Sequence, residues 1–173
     1  PLWVLDGQRA ARLDAADDSA PAMASDGAGG FVLTWQSYDP AGVPAGTRVR
    51  AQRVNGAGFA QWTSAGLAIS PLSGSQTEPR VVADSAGGAV LSWVQSTTPR
   101  CIRAQRLNAA GARLWSADGI AVTDTTRAAS RTHYLLAGPA GGARFLVHDT
   151  AIIPTPRWRD VDGSGATLRW DAL

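Results

Sequence analysis

At 173 residues with 45% apolar side chains, the chain is within the size of one domain and can furnish a real core. Charged residues are only 17% and the net charge is +2, which excludes a disordered polyelectrolyte. No run of 18 apolar residues exists, so no membrane-spanning helix is expected.

In chain order, residues 1–13 match the end of a unit that recurs further on. Leu2-Trp3 and Asp6-Gly7 correspond to Leu114-Trp115 and Asp118-Gly119, with a spare strand over residues 9–13. An acidic connector follows; Asp14, Asp17 and Asp18 read as a solvated loop in preference to a gathered cation site. Strands are then predicted at 21–25, with a proline suited to a strand start, at 31–37, at 47–54 and at 67–70. Within 31–37, Phe31, Leu33 and Trp35 share one face and Val32, Thr34 and Gln36 the other. Apolar residues on both faces suit a strand sandwiched between two neighbouring sheets. Residues 38–46, with Pro40, Gly42, Pro44 and Gly46, read as a loop.

The next strands fall at 81–83, 89–94, 101–107 and 120–123, and the last at 134–136, 144–148 and 156–161. These segments are copies of one unit. A glycine pair stands at Gly29-Gly30, Gly87-Gly88 and Gly141-Gly142, followed five residues on by Trp35, Trp93 and Val147. Ala-Gln-Arg follows at 51–53 and 104–106, with Trp158, Arg159 and Asp160 in the third copy. A turn closes each copy at 55–58, 108–111 and 162–165, and its final glycine suits a left-handed position. A tryptophan recurs beyond it at Trp3, Trp62, Trp115 and Trp170, with spacings of 59, 53 and 55.

A recurring supersecondary unit of this length cannot bury its apolar face without a neighbouring copy. Four short antiparallel strands per unit point to the blade of a β-propeller. The expected fold is therefore all-β, a partial β-propeller of about three four-stranded antiparallel blades. Residues 1–20 are the end of a preceding blade, 21–78 and 79–130 the first two blades, and 131–173 a divergent third. That third blade is expected to lack its fourth strand, or to take it from the N-terminus or from another chain. Since roughly four to eight blades close a ring, the exposed faces call for a partner. The partner would be the rest of a larger chain or assembly, favoured here, or a second copy. The chain begins partway through a repeat and so reads as a piece of something longer.

The order Gly-Gly, Trp, Ala-Gln-Arg, Asn-x-x-Gly, Leu-Trp, Gly, strongest over residues 21–123, resembles a family of bacterial secreted and surface β-propeller repeats. The resemblance implies an extracellular, cell-surface or periplasmic bacterial protein. It also implies that the recurring tryptophans are inter-blade core and that Gln52-Arg53 and Gln105-Arg106 tie strands or loops together. A non-catalytic structural or interaction module follows as the expected function. The alternative is a carbohydrate-active or sugar-binding propeller, hydrolase or lyase, whose site is completed by blades outside this chain.

Candidate chemistry is sparse. Asp160, Asp162, Ser164, Gly165 and Asp171 carry the one, three, five, six, twelve spacing of a calcium loop. The turn at 162–165 occupies the place of two ordinary hairpin turns, which is the competing reading. The two histidines, His133 and His148, lie on adjacent strands, where they could share a metal or serve Ser130 with Asp149 nearby. Neither a third ligand nor a nucleophile elbow accompanies them. Glycosidase propellers need paired carboxylates at the ring centre, but Asp26 and Asp84 precede the glycine pairs in a turn and read as turn formers. Every positive charge is arginine, yet the sixteen are spread along the chain and the net charge is small, which points away from nucleic acid. Cys101 has no partner for a disulfide and is expected to be a buried thiol.

Overall fold

The computed structural model describes residues 17–39, 46–123, 125, 129–149 and 156–172. The expected spare strand at 9–13 lies outside them. Twelve strands form three four-stranded antiparallel sheets. The first holds β1 (Asp17–Ser25), β2 (Phe31–Asp39), β3 (Gly46–Val54) and β4 (Leu67–Ala68) in that order. The second holds β5 (Gln76–Ala83), β6 (Ala89–Gln95), β7 (Cys101–Leu107) and β8 (Ile120–Ala121). The third holds β9 (Ala129–Ala137), β10 (Ala143–Asp149), β11 (Pro156–Val161) and β12 (Thr167–Ala172). This is the all-β, partial propeller-like arrangement that the repeat implies.

The glycine pairs have two different tasks. Gly29, Gly87 and Gly141 take φ of +83°, +78° and +75°, which a side chain rarely adopts. Their partners Gly30, Gly88 and Gly142 are pressed against the carbonyls of Val54, Leu107 and Val161, where a Cβ would collide. The hairpin between the first two strands of each sheet is thereby packed onto the end of the third.

The first strands of the first two sheets, β1 and β5, run longer than expected, to Asp17 and Gln76. Each carries a proline in its middle, Pro21 or Pro79, which has no N–H for the ladder. Register shifts between Ser19 and Ala22 and between Thr77 and Arg80 absorb these prolines, so the strands continue through them. A proline taken as a strand start is in fact a bulge.

The sheets stack face to face in one direction. Strand β6 is buried along its whole length. Ala89, Leu91 and Trp93 pack against Val32, Val49, Ala51 and Ile69 of the first sheet. Val90 and Val94, with Ile102 and Ala104 of β7, meet Leu135, Phe145 and Val147 of the third. Each sheet therefore turns its tryptophan face toward the preceding copy and its valine face toward the following one.

The third sheet departs from expectation at its fourth place. It is filled by the chain's own β12, so the strand is neither missing nor borrowed. In the first two copies the chain leaves the ladder after a single bridge, Val54 to Ala60 or Leu107 to Arg113, and returns later as the two-residue strand β4 or β8. In the third it turns directly from β11 into β12, pairing from Val161 with Thr167 to Arg157 with Ala172. Trp170 accordingly lies inside the fourth strand, whereas Trp62 and Trp115 precede it.

Candidate functional site

The polar residues that recur with the repeat assemble one construction twice. Asp26 Oδ1 accepts hydrogen bonds from the Ala28 and Gly30 amides at 2.8 and 2.9 Å, and its Oδ2 accepts from Arg53 Nη2 at 3.0 Å and Nε at 3.2 Å. Asp84 does the same with Ala86, Gly88 and Arg106. Each arginine then crosses to the next sheet, Arg53 Nη1 reaching the Ala109 carbonyl at 3.4 Å and Arg106 Nη1 the Gly163 carbonyl at 3.0 Å. The indoles of Trp62 and Trp115 donate to those same carbonyls, both at 3.1 Å. The glutamines between are wholly buried. Gln105 accepts from the Arg106 and Trp115 amides and donates to the Ser116 carbonyl, and Gln52 repeats this with Arg53, Trp62 and Thr63. Ala-Gln-Arg is thus a small core residue, a loop clamp and an inter-sheet latch in succession.

Burial alone would push the Asp26 carboxyl up, but the Ala28 and Gly30 amides and the Arg53 guanidinium outweigh it and hold Asp26 below its ordinary value. A carboxylate depressed in the folded state contributes stability that is complete above its unfolded value, 3.8, and is lost as pH falls through the folded value. Urea unfolding from pH 6 to pH 2.5 is expected to show a stability loss below about pH 4 that is shallower in Asp26→Asn.

The residues of the calcium-loop spacing lie along β11, the turn after it and β12. Asp160 lies on β11, where Arg144 Nε and Nη2 donate to its two oxygens at 2.7 and 2.8 Å and hold its carboxyl below the usual range. Asp162 caps its own turn, accepting from the Ser164 hydroxyl and from the Ser164 and Ala166 amides, as Asn55 and Asn108 cap theirs. Asp171 pairs through its backbone with Trp158. Asp160 and Asp162, the two members whose carboxylates are described, meet different partners. Among the described residues no group of three or more His, Cys, Asp or Glu is placed to hold a metal ion.

His133 and His148 do stand on adjacent strands, β9 and β10. The His133 ring is fully buried, and its Nε2 lies 2.9 Å from the hydroxyl of Ser92 on β6. This serine belongs to the second sheet and is not the Ser130 that the sequence suggested. Both groups are shut off from solvent, so the pair joins two sheets and offers no reach to a substrate. The side chains of His148, Ser130 and Asp149 lie outside the described ones. Asp17 and Asp18 are exposed on β1, and Asp14 lies outside the described residues. Cys101 is buried on β7.

What sequence reasoning missed is the outward face of the third sheet. At the positions where Val32 and Val90, Ala51 and Ala104, and Arg53 and Arg106 receive or latch a following sheet, the third sheet has Arg144, Trp158 and Asp160. The guanidinium of Arg144 stacks on the Trp158 ring at 4.8 Å and that of Arg169 at 4.7 Å. Tyr134 and Leu136 on β9 are exposed on the same face. The signal was available in the replacement of Ala-Gln-Arg by Trp-Arg-Asp. Arg159 works inward instead, holding the Ala121 and Val122 carbonyls of the second sheet.

Among the described residues no helix is long and apolar enough to cross a membrane. In comparison with known proteins, no family model and no curated sequence matches the chain.

Proposed function

We propose that this chain is a non-catalytic β-propeller segment, secreted or held at a bacterial surface, that serves as a scaffold and protein-interaction module. The observation that carries this reading is the repeated latch. The recurrent polar side chains Asp26, Gln52, Arg53 and their second-copy equivalents are engaged in fixing turns and loops and in joining one sheet to the next. The buried carboxylates Asp26 and Asp84 are each neutralised by an arginine and two amides, which leaves neither to act as an acid or a nucleophile. The bacterial secreted or surface setting is supported by the likeness of the repeat to propeller repeats of that kind. The face built from Tyr134, Leu136, Arg144, Trp158 and Arg169 has the aromatic and arginine composition that protein interfaces favour. A glycan array and a panel of glycoside hydrolase and lyase substrates test the reading. Neither retention nor turnover is expected, and glycan-specific binding or turnover by the purified chain overturns it.

A further inference from the structure

The three copies pair their first two strands in the same register, so their tryptophan faces can be compared position by position. Met23 stands opposite Leu33, Val81 opposite Leu91 and Leu135 opposite Phe145. In the second and third copies the preceding sheet covers this face, and Val81 and Leu135 are each 8% exposed. In the first copy Met23 is 70% exposed, and Phe31 and Leu33 are half-buried where Ala89 and Leu91 are wholly buried. The latch differs in parallel. The guanidinium of Arg53 lies over Gly87, 3.7 Å from where a Cβ would stand, and that of Arg106 lies against Gly141. Among the described residues nothing comes within 4 Å of the corresponding point on Gly29.

What fits such a face is defined by the two interfaces the chain already contains. The covering sheet brings Val32 and Ala51, or Val90 and Ala104, and the arginine two residues beyond the alanine crosses to a turn carbonyl. A second copy does not bring this surface, because its outward third sheet has Arg144, Trp158 and Asp160 in those three places. A carboxylate has no proton to donate to a turn carbonyl, and Arg144 and Trp158 overfill the space that valine and alanine occupy.

We propose that the tryptophan face of the first sheet is the seat for a blade of this same repeat type on a partner protein, one that presents valine, alanine and a latch arginine, and that the third sheet refuses a further blade. The stack is then polar, open to the repeat at one end only, as terminal units of repeat arrays are closed by a polar outer face. The inference stands on how the three sheets pack and does not depend on what the third sheet's outward face binds.

The donor surface can be made from the whole chain itself. Arg144→Val, Trp158→Ala and Asp160→Arg together give the third sheet the face of the first two, at positions outside the core. Since such a head-to-tail contact propagates, this triple variant is expected to raise the weight-average mass in sedimentation at least about twofold over the parent. Adding Met23→Arg is expected to abolish that rise. Met23 is also the chain's only methionine, so its isotope-labelled methyl resonance reports on the seat. That resonance is expected to be broadened by a soluble nitroxide in the parent alone and protected once unlabelled triple variant is added. A triple variant that sediments as the parent does, an association indifferent to Met23→Arg, or a parent that itself associates through Met23 overturns the proposal. So does a Met23 methyl already shielded from the nitroxide in the parent alone, a measurement that requires no variant to fold.

Discussion

Replacing Arg106 by alanine is expected to lower the unfolding free energy by about 3 kcal/mol, the low end of the cost of breaking a buried ion pair. The Asp84 side chain is only 1% exposed. Without Arg106 its charge keeps two amide donors and loses its counter-ion, so the variant holds an uncompensated carboxylate in a dry site. The cost stays at the low end because those amides remain, at 2.8 Å each. The same substitution also removes the bond to the Gly163 carbonyl, loosening the contact between the second and third sheets. Urea titration should show the midpoint fall with the slope unchanged. The double variant Asp84→Ala, Arg106→Ala should cost less than the sum of the two single changes, because no orphaned charge is left behind. Additive losses would show that the pair is not coupled and that the latch is a crossing of independent bonds.

Trp93→Ala is expected to cost about 3–5 kcal/mol, which for a chain of this length is a fall in melting temperature of about 10 °C. Trp93 is wholly buried between the first and second sheets, packed with Val32, Val49, Ala51 and Leu91. The left-handed Gly119 at φ +72° approaches its ring so closely that a Cβ there would stand 3.0 Å from Cη2. Neighbours this tightly ordered cannot collapse into the vacated space, so the cavity persists and its lining loses dispersion contacts. The change also leaves Gln95 Oε1 without its indole donor in a buried site. Thermal unfolding by circular dichroism measures the effect. A fall of less than about 3 °C would mean that the two sheets hold together without this side chain.

These two residues differ in how legible they were. Trp93 declares itself in sequence: it recurs with Trp35 at a fixed distance from a glycine pair, on an alternating strand whose two faces are both apolar. Alternation reports strand geometry, and apolar residues on both faces report burial on both, so an inter-sheet core position follows. The turns were legible for the same kind of reason, since Asn or Asp three residues before glycine encodes a local backbone path.

Arg106 was harder. Its recurrence in Ala-Gln-Arg marked it as structural, but Asp84 looked like an ordinary turn former, and nothing local joins the two. The joining signal lay across the copies. Where the arginine is replaced, by Asp160, the aspartate is replaced as well, by Gly138, so the two come and go together. The Ser92 and His133 contact left no such trace, because it occurs once and unites residues 41 apart on different sheets. Strand β12 was missed because Trp170 was aligned with Trp62 and Trp115, which precede the fourth strand, although the third copy closes a direct hairpin there.

The repeat period, the strand alternation and the turn chemistry were determined by the sequence by itself, because each depends on backbone preferences that act over a few residues. Which oxygen each polar side chain meets was decided only by the tertiary structure. Arg53 reaches a carbonyl 56 residues away and Arg106 one 57 residues away. Such a pairing exists only once two sheets have been stacked at a fixed offset, and that offset comes from the packing of their faces and from no single stretch of the chain.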